Sequence, residues 1–309
     1  MRLLTGVFAL LALCQVGVER AASAESMQLS VDGQQRKYLL ERLAGRGPSP
    51  TIIVLHGAFG TPEATVQQTG LGKLGPQQGF AVVFPQARTI VWNRFPPGKE
   101  SKQAIEFFGQ RGGLPNDVGF IRALAMELVH RGVSDPARIY IAGGSNGGFM
   151  TLAMICHEAG LFAGAGVAVA SMIEQAGEDC RPAKPMPIVF LHGTADAIVP
   201  YRGGAVAPLG GRGASDFSVW PAERTVSFFR QLNGCAGEPA RSTLPVQGPH
   251  RVEIERSTNC AGGAVMAYRA AGGTHDLRVS FNVGRALLDF FRENGPGIPR
   301  PGASAAPRR

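Results

Sequence analysis

An open, doubly wound α/β sheet, mostly parallel and opened by an antiparallel hairpin, is the fold class this sequence predicts. Three observations predict it. Apolar, β-branched runs recur without alternation at Thr51–Leu55, Phe80–Phe84, Ile139–Ala142, Ala165–Ala170 and Ile188–Leu191, as expected of strands covered on both faces. Segments of helical periodicity separate or follow these runs, so that strand and helix alternate. Before them, Gln28–Leu43 alternates on either side of Asp32-Gly33, a dipeptide suited to a tight hairpin turn.

Taken in chain order, the first 24 residues read as an export signal. Arg2 gives a positive start, Leu3 to Val18 are mostly apolar, and Ala22-Ser23-Ala24 has the small-x-small form of a cleavage site. The apolar stretch is short for a membrane span, so cleavage after Ala24 and a secreted or periplasmic destination are expected. Leu13 is too bulky to precede a lipidated Cys14, which argues against a lipoprotein. One domain is expected over residues 25–294. Its helices are Asp117–His130 with Asp117 as N-cap, Asn146–His157, Glu223–Leu232 and Val283–Glu293, and Ala264–Arg269 reads as a further strand. Ile90–Asn116 reads as a long, irregular loop, of a length that tends to be functional or mobile, and Tyr201–Gly213 as a second, glycine-rich excursion. The Gly- and Pro-rich tail, 295–309, lacks the apolar content to fold.

Composition narrows the classes. A net charge of +8 would suit a nucleic-acid binder, but only five of the 31 basic residues are lysines and the arginines are scattered. No basic run interleaved with aromatics appears, so no nucleic-acid partner is expected; no second long apolar stretch follows the leader, so no membrane partner is expected either. Removing the leader leaves Cys156, Cys180, Cys235 and Cys260. An even number in an exported chain suggests disulfides, and of the three connectivities the nearest-neighbour pairing is expected. No Cys-x-x-Cys spacing or nearby histidine pair suggests a metal.

The chemistry centres on Gly143-Gly144-Ser145-Asn146-Gly147-Gly148. A dinucleotide fingerprint fails because Ser145 and Asn146 stand where its second glycine belongs. A phosphate loop fails because Phe149 replaces the required lysine. Gly-x-Ser-x-Gly between a strand and a helix fits a nucleophile elbow, in which small residues two before and two after the serine avoid a clash. A serine needs a base and an acid, expected later in the chain in the order acid, then base. His275, in a glycine loop before the final helix, is the candidate base. His130 and His157 sit at helix ends and His250 in a polar connection. Asp196, just beyond the strand run that ends at Leu191, is the candidate acid, preferred over Asp276 and Asp216. Backbone N–H groups of Ala58, in His56-Gly57-Ala58, and of Asn146 would form an oxyanion hole. Trp92, Phe95 and Phe149 are candidates for a substrate pocket.

Leu55-His56-Gly57, Phe84-Pro85, Asp117-Val118-Gly119-Phe120, Asp135-Pro136-Ala137-Arg138-Ile139-Tyr140, the elbow, His192-Gly193-Thr194-Ala195-Asp196, Asn233-Gly234-Cys235 and Gly272-Gly273-Thr274-His275 together resemble secreted poly(3-hydroxybutyrate) depolymerases, feruloyl esterases and acetylxylan esterases. The resemblance spans about residues 28–293 and implies an α/β-hydrolase fold, a triad of Ser145, Asp196 and His275, no cofactor, and polymeric or aromatic ester substrates. Asp276-Leu277-Arg278 stands where many members carry Trp-Pro-Gly. Two other readings compete: a prolyl-oligopeptidase-type serine peptidase, and a non-catalytic polymer-binding protein that retains the fold.

Overall fold

The computed structural model describes residues 22–43, 45, 47–208 and 217–296. Most of the expected leader and the tail from 297 onward lie outside the described residues, as do 209–216. Among the described residues, no helix is long and apolar enough to cross a membrane.

The chain begins with the hairpin β1 (Ala22–Val31) and β2 (Gln34–Leu43), paired antiparallel. Asp32 and Gly33 make the turn with positive φ at both positions, as its sequence demands. The last three residues of the expected leader, Ala22 to Ala24, pair with Leu43, Arg42 and Glu41, and seven further pairs follow from Glu25 onward. Then come β3 (Ser49–Leu55), α1 (Pro62–Thr69), α2 (Leu71–Gln77), β4 (Ala81–Pro85), α3 (Lys102–Gly109), α4 (Asp117–His130), β5 (Ser134–Gly144), α5 (Asn146–Glu158), β6 (Gly164–Ala168), α6 (Glu174–Asp179) and β7 (Ile188–Gly193). The small pair β8 (Gly204–Ala205) and β9 (Ser218–Val219), α7 (Ala222–Leu232), β10 (Ala240–Thr243), β11 (Val252–Ser257), β12 (Val265–Ala270) and α8 (Val283–Asn294) complete it.

Among the described residues, ten strands form one sheet in the order β1-β2-β4-β3-β5-β6-β7-β12-β11-β10. From β4 to β12 the neighbours run parallel, and both ends of the sheet are antiparallel. Strands β4, β6 and β7 are buried at every residue, the reason their sequences run apolar without alternation. One face carries Val118, Ile121, Phe149, Ile155 and Phe229 from α4, α5 and α7. The opposite face carries Leu71 from α2 with Leu287, Phe290 and Phe291 from α8. The sheet is thus covered on both sides, and its parallel strands end together at one rim.

Two expectations are corrected. Asn116, not Asp117, caps α4, its Oδ1 accepting from the Gly119 N–H at 2.9 Å. Asp117 cannot turn outward to cap, because its buried carboxylate accepts from Arg36 Nη2 at 2.5 Å and from the Asn93 N–H at 2.8 Å. The loop Ile90–Asn116 is not wholly irregular: Ser101 caps α3 inside it. Two disulfides join Cys156 to Cys180 and Cys235 to Cys260, the nearest-neighbour pairing. The first ties α5 to the end of α6, and the second ties the segment after α7 to that before β12.

Candidate active site

Among the described non-glycine residues, positive φ occurs at four: Asp32 in the hairpin turn, and Phe59, Ser145 and Val169. The last three follow the carboxyl ends of β3, β5 and β6. Strain of this kind is retained where surrounding structure over-determines it, often at functional sites.

Ser145 has φ 55° and ψ −122°, directly between β5 and α5. Its neighbours enforce that turn. A Cβ on Gly143 would come within 2.3 Å of Gly147 O, and a Cβ on Gly147 within 2.3 Å of Leu55 O; only glycine fits at either position. The Ser145 N–H donates to Ala168 O at 2.9 Å, which anchors the elbow to β6.

Asp196 lies three residues past β7, with its side chain almost wholly buried. Its Oδ1 accepts from the N–H groups of Ile198 and Val199 at 2.8 and 2.9 Å. Its Oδ2 takes His275 Nδ1 at 2.7 Å. With Nδ1 as donor, Nε2 is left as the ring's acceptor. The loops bearing the two residues interlock: the Gly272 N–H donates to Thr194 Oγ1, and a Cβ on Gly193 would meet Gly273 O at 2.3 Å. The competing groups are engaged elsewhere. His250 Nδ1 lies 2.9 Å from Ser280 Oγ, Asp276 is bidentate to Arg278, and His130 and His157 end α4 and α5. Asp216 lies outside the described residues.

Two other histidines are structural. Burial pushes His192 down to about 4, and its Nε2 donates to Ala170 O at 3.0 Å. Burial also lowers His56. Its Nδ1 donates to Gly57 O at 2.7 Å while Nε2 accepts from the Ala87 N–H at 3.0 Å, so the neutral ring is held in one tautomer. His56 thereby fixes the turn that presents Ala58.

Trp92 braces this turn against the elbow. Its backbone N–H donates to Asn146 Oδ1 at 2.7 Å and its indole N–H to His56 O at 2.9 Å. Behind it, Asp117 holds Asn93, so the buried Arg36–Asp117 pair supports the same loop. Among the described residues, neither the Ala58 N–H nor the Asn146 N–H bonds to a protein acceptor. Both residues border the cavity that Ser145 and His275 share.

That cavity is about 520 Å³ and mainly apolar. Trp92, Phe95 and Phe149, the sequence-derived pocket candidates, all line it. Phe59, Phe107, Phe217, Ile198 and Val206 line it too, and sequence reasoning missed them. Phe107 belongs to α3, whose Ser101 cap was a readable signal, whereas Phe217 reaches Phe149 only through the fold, at 5.2 Å. A separate polar cleft of about 670 Å³ runs beside α7. Its Arg241, Arg251 and Arg269 are matched by Glu255, Glu253 and Glu223, and it contains no serine-histidine pair of this kind.

Comparison with known proteins agrees with this architecture. The family described as "Prolyl oligopeptidase family" matches residues 117–184, which include the elbow but neither Asp196 nor His275. NocK of Nocardia uniformis subsp. tsuyamanensis, which carries the name of an esterase, is 27% identical over 82% of this chain and 74% of its own length. Feruloyl esterase B of Piromyces equi is 33% identical over 48% of this chain, which spans only 26% of that protein. The solved acetyl xylan esterase from Aspergillus awamori shares the fold, with TM-score 0.58 and 14% identity over 86% of this chain and 98% of that one. With a largely parallel sheet flanked by helices and an elbow at a strand end, this chain has the α/β-hydrolase fold, and the relatives it resembles in sequence and structure carry the names of esterases.

Proposed function

We propose that the protein is an exported carboxylic-ester hydrolase in which Ser145, His275 and Asp196 act as nucleophile, base and acid. The observation that carries this reading is the 2.7 Å bond from His275 Nδ1 to Asp196 Oδ2, with Ser145 and His275 lining one cavity. Asp196 holds the imidazole in the tautomer whose Nε2 can accept a proton and stabilises the imidazolium that results. Ser145 Oγ attacks the ester carbonyl as its proton passes to His275, and the alcohol leaves with that proton as the acyl-enzyme forms. Water then attacks the acyl-enzyme, its proton passing through the same histidine back to Ser145, and the acid departs. The N–H groups of Ala58 and Asn146 hold the oxyanion of each tetrahedral intermediate. Loss of one such donor typically costs roughly 3 kcal/mol of transition-state stabilisation. The apolar, aromatic-rich cavity favours an ester with an apolar or aromatic part, consistent with polyester or aromatic cell-wall ester substrates.

Ser145→Ala tests the reading. Turnover of p-nitrophenyl acetate should vanish while the melting temperature stays within a few degrees of wild type; retained turnover would refute the assignment. A peptidase reading draws on the matched family description. Wild-type kcat/KM for an ester and for the corresponding peptide amide separates the two, and the proposal requires the ester to be strongly preferred.

A further inference from the structure

Phe59 follows Ala58 at the mouth of the cavity, and its conformation is unfavourable in two ways. It occupies the third position of the turn Gly57–Gly60, closed by the Gly60 N–H to Gly57 O at 3.1 Å, with φ 60°. Such a position favours glycine or asparagine, because a Cβ crowds the backbone there. The residue is also 60% exposed, so little apolar surface is buried in compensation for the strain. The backbone is held in place by the Phe59 N–H donating to Ile90 O at 2.7 Å. Gly60 keeps the turn tight, since a Cβ there would lie 2.9 Å from Gly57 O. Ile198 lines the same cavity and is itself 44% exposed. It comes from the segment whose N–H groups hold Asp196. Two large apolar side chains are therefore presented to solvent beside Ser145 and His275, one on the turn that carries Ala58 and one next to the acid loop.

We propose that Phe59 and Ile198 are specificity-determining residues, an apolar clamp that takes a bulky alkyl or aryl group of the ester as it enters the cavity. This rests on the ester-hydrolase reading above. Binding such a group would bury the exposed faces of both side chains and so repay the strain at Phe59 only in the complex. Small, polar esters such as sugar acetates would leave the clamp unfilled and would be poorer substrates.

The test compares two ester pairs, p-nitrophenyl acetate with octanoate and methyl butyrate with benzyl butyrate, in wild type, Phe59→Gly and Phe59→Leu. Phe59→Gly should lower the bulky-to-small ratio of kcat/KM by about ten-fold or more in at least one pair, mostly through KM. Its melting temperature should be equal to or above that of wild type, because strain is relieved. Phe59→Leu, which keeps apolar bulk, should retain most of the preference. Ratios within about two-fold of wild type in both pairs would overturn the clamp, as would a fall of more than about 4 °C in melting temperature, which would make the ring structural. Wild-type protein that hydrolyses none of the four esters would instead refute the ester-hydrolase reading.

Discussion

Gly144 and Gly148 flank the elbow, and the space around them differs sharply. A Cβ on Gly148 would lie 2.7 Å from Ala170 Cβ and 3.0 Å from Ala168 O, because the first turn of α5 packs directly on the segment ending β6. A Cβ on Gly144 would meet Ala168 only at 3.9 Å, an ordinary contact. Gly148→Ala should therefore cost about 1–3 kcal/mol by overpacking, whereas Gly144→Ala should change stability by less than about 0.5 kcal/mol. Urea denaturation of the two variants checks the contrast, and equal losses would contradict it. Arg36 offers a sharper case. It lies 3.9 Å over the Phe120 ring while bonding Asp117, so Arg36→Met would leave a buried carboxylate without its cation. The expected loss is about 3–5 kcal/mol, with a fall in kcat because Asn93 and Trp92 lose their support.

At the scale of elements, one disulfide ties α5 to the end of α6 and the other ties the segment after α7 to that before β12, closing loops of similar length with sequence separations of 24 and 25 residues. Replacing either pair by alanines should lower stability by roughly 3 kcal/mol, read from denaturation midpoints. The buried strands and the longer helices were legible in the sequence because burial on both faces and helical periodicity each leave a simple pattern. The loop containing α1 was equally readable and was overlooked: Thr61 caps it, Pro62 starts it, Glu63 lies in its first turn and Gly70 ends it. Helix α2 was harder, since Leu71–Gln77 contains two glycines and a proline, and Gly75 is required by its approach to Val82. At Asp117 the local cap signal competed with a partner 81 residues away, which no local pattern reveals. The site divides in the same way. Ser145, Asp196 and His275 were legible as candidates because motif and chain order single them out. Phe59, Phe217 and Ile198 were not, since only the fold brings them to one cavity.

For the whole molecule, two neutral buried histidines tie stability to pH. Unfolded histidine protonates near 6.5, whereas folded His192 does so only at about 4, and folded His56 is also lowered by burial. Between those values the unfolded chain binds more protons, so stability falls as pH falls from about 6.5 toward 4 and levels off below. His192 alone would contribute a loss on the order of 3 kcal/mol. Urea midpoints measured from pH 7.5 down to 4 should show this decline, and His192→Asn should flatten it; a midpoint independent of pH over that window would contradict the structural role given to these rings. His56 also couples this effect to the site, because its neutral tautomer fixes the turn carrying Ala58.

The proposed roles of Ser145 as nucleophile and His275 as its activating base are open to a direct chemical test. The most direct measurement is intact-mass and peptide mapping after reaction with a fluorophosphonate, which forms a stable adduct on an activated serine. One adduct is expected, mapped to Ser145, lost in Ser145→Ala and slowed by orders of magnitude in His275→Ala while that variant remains folded. No adduct on the folded wild type, or an adduct mapped to another residue, would contradict it.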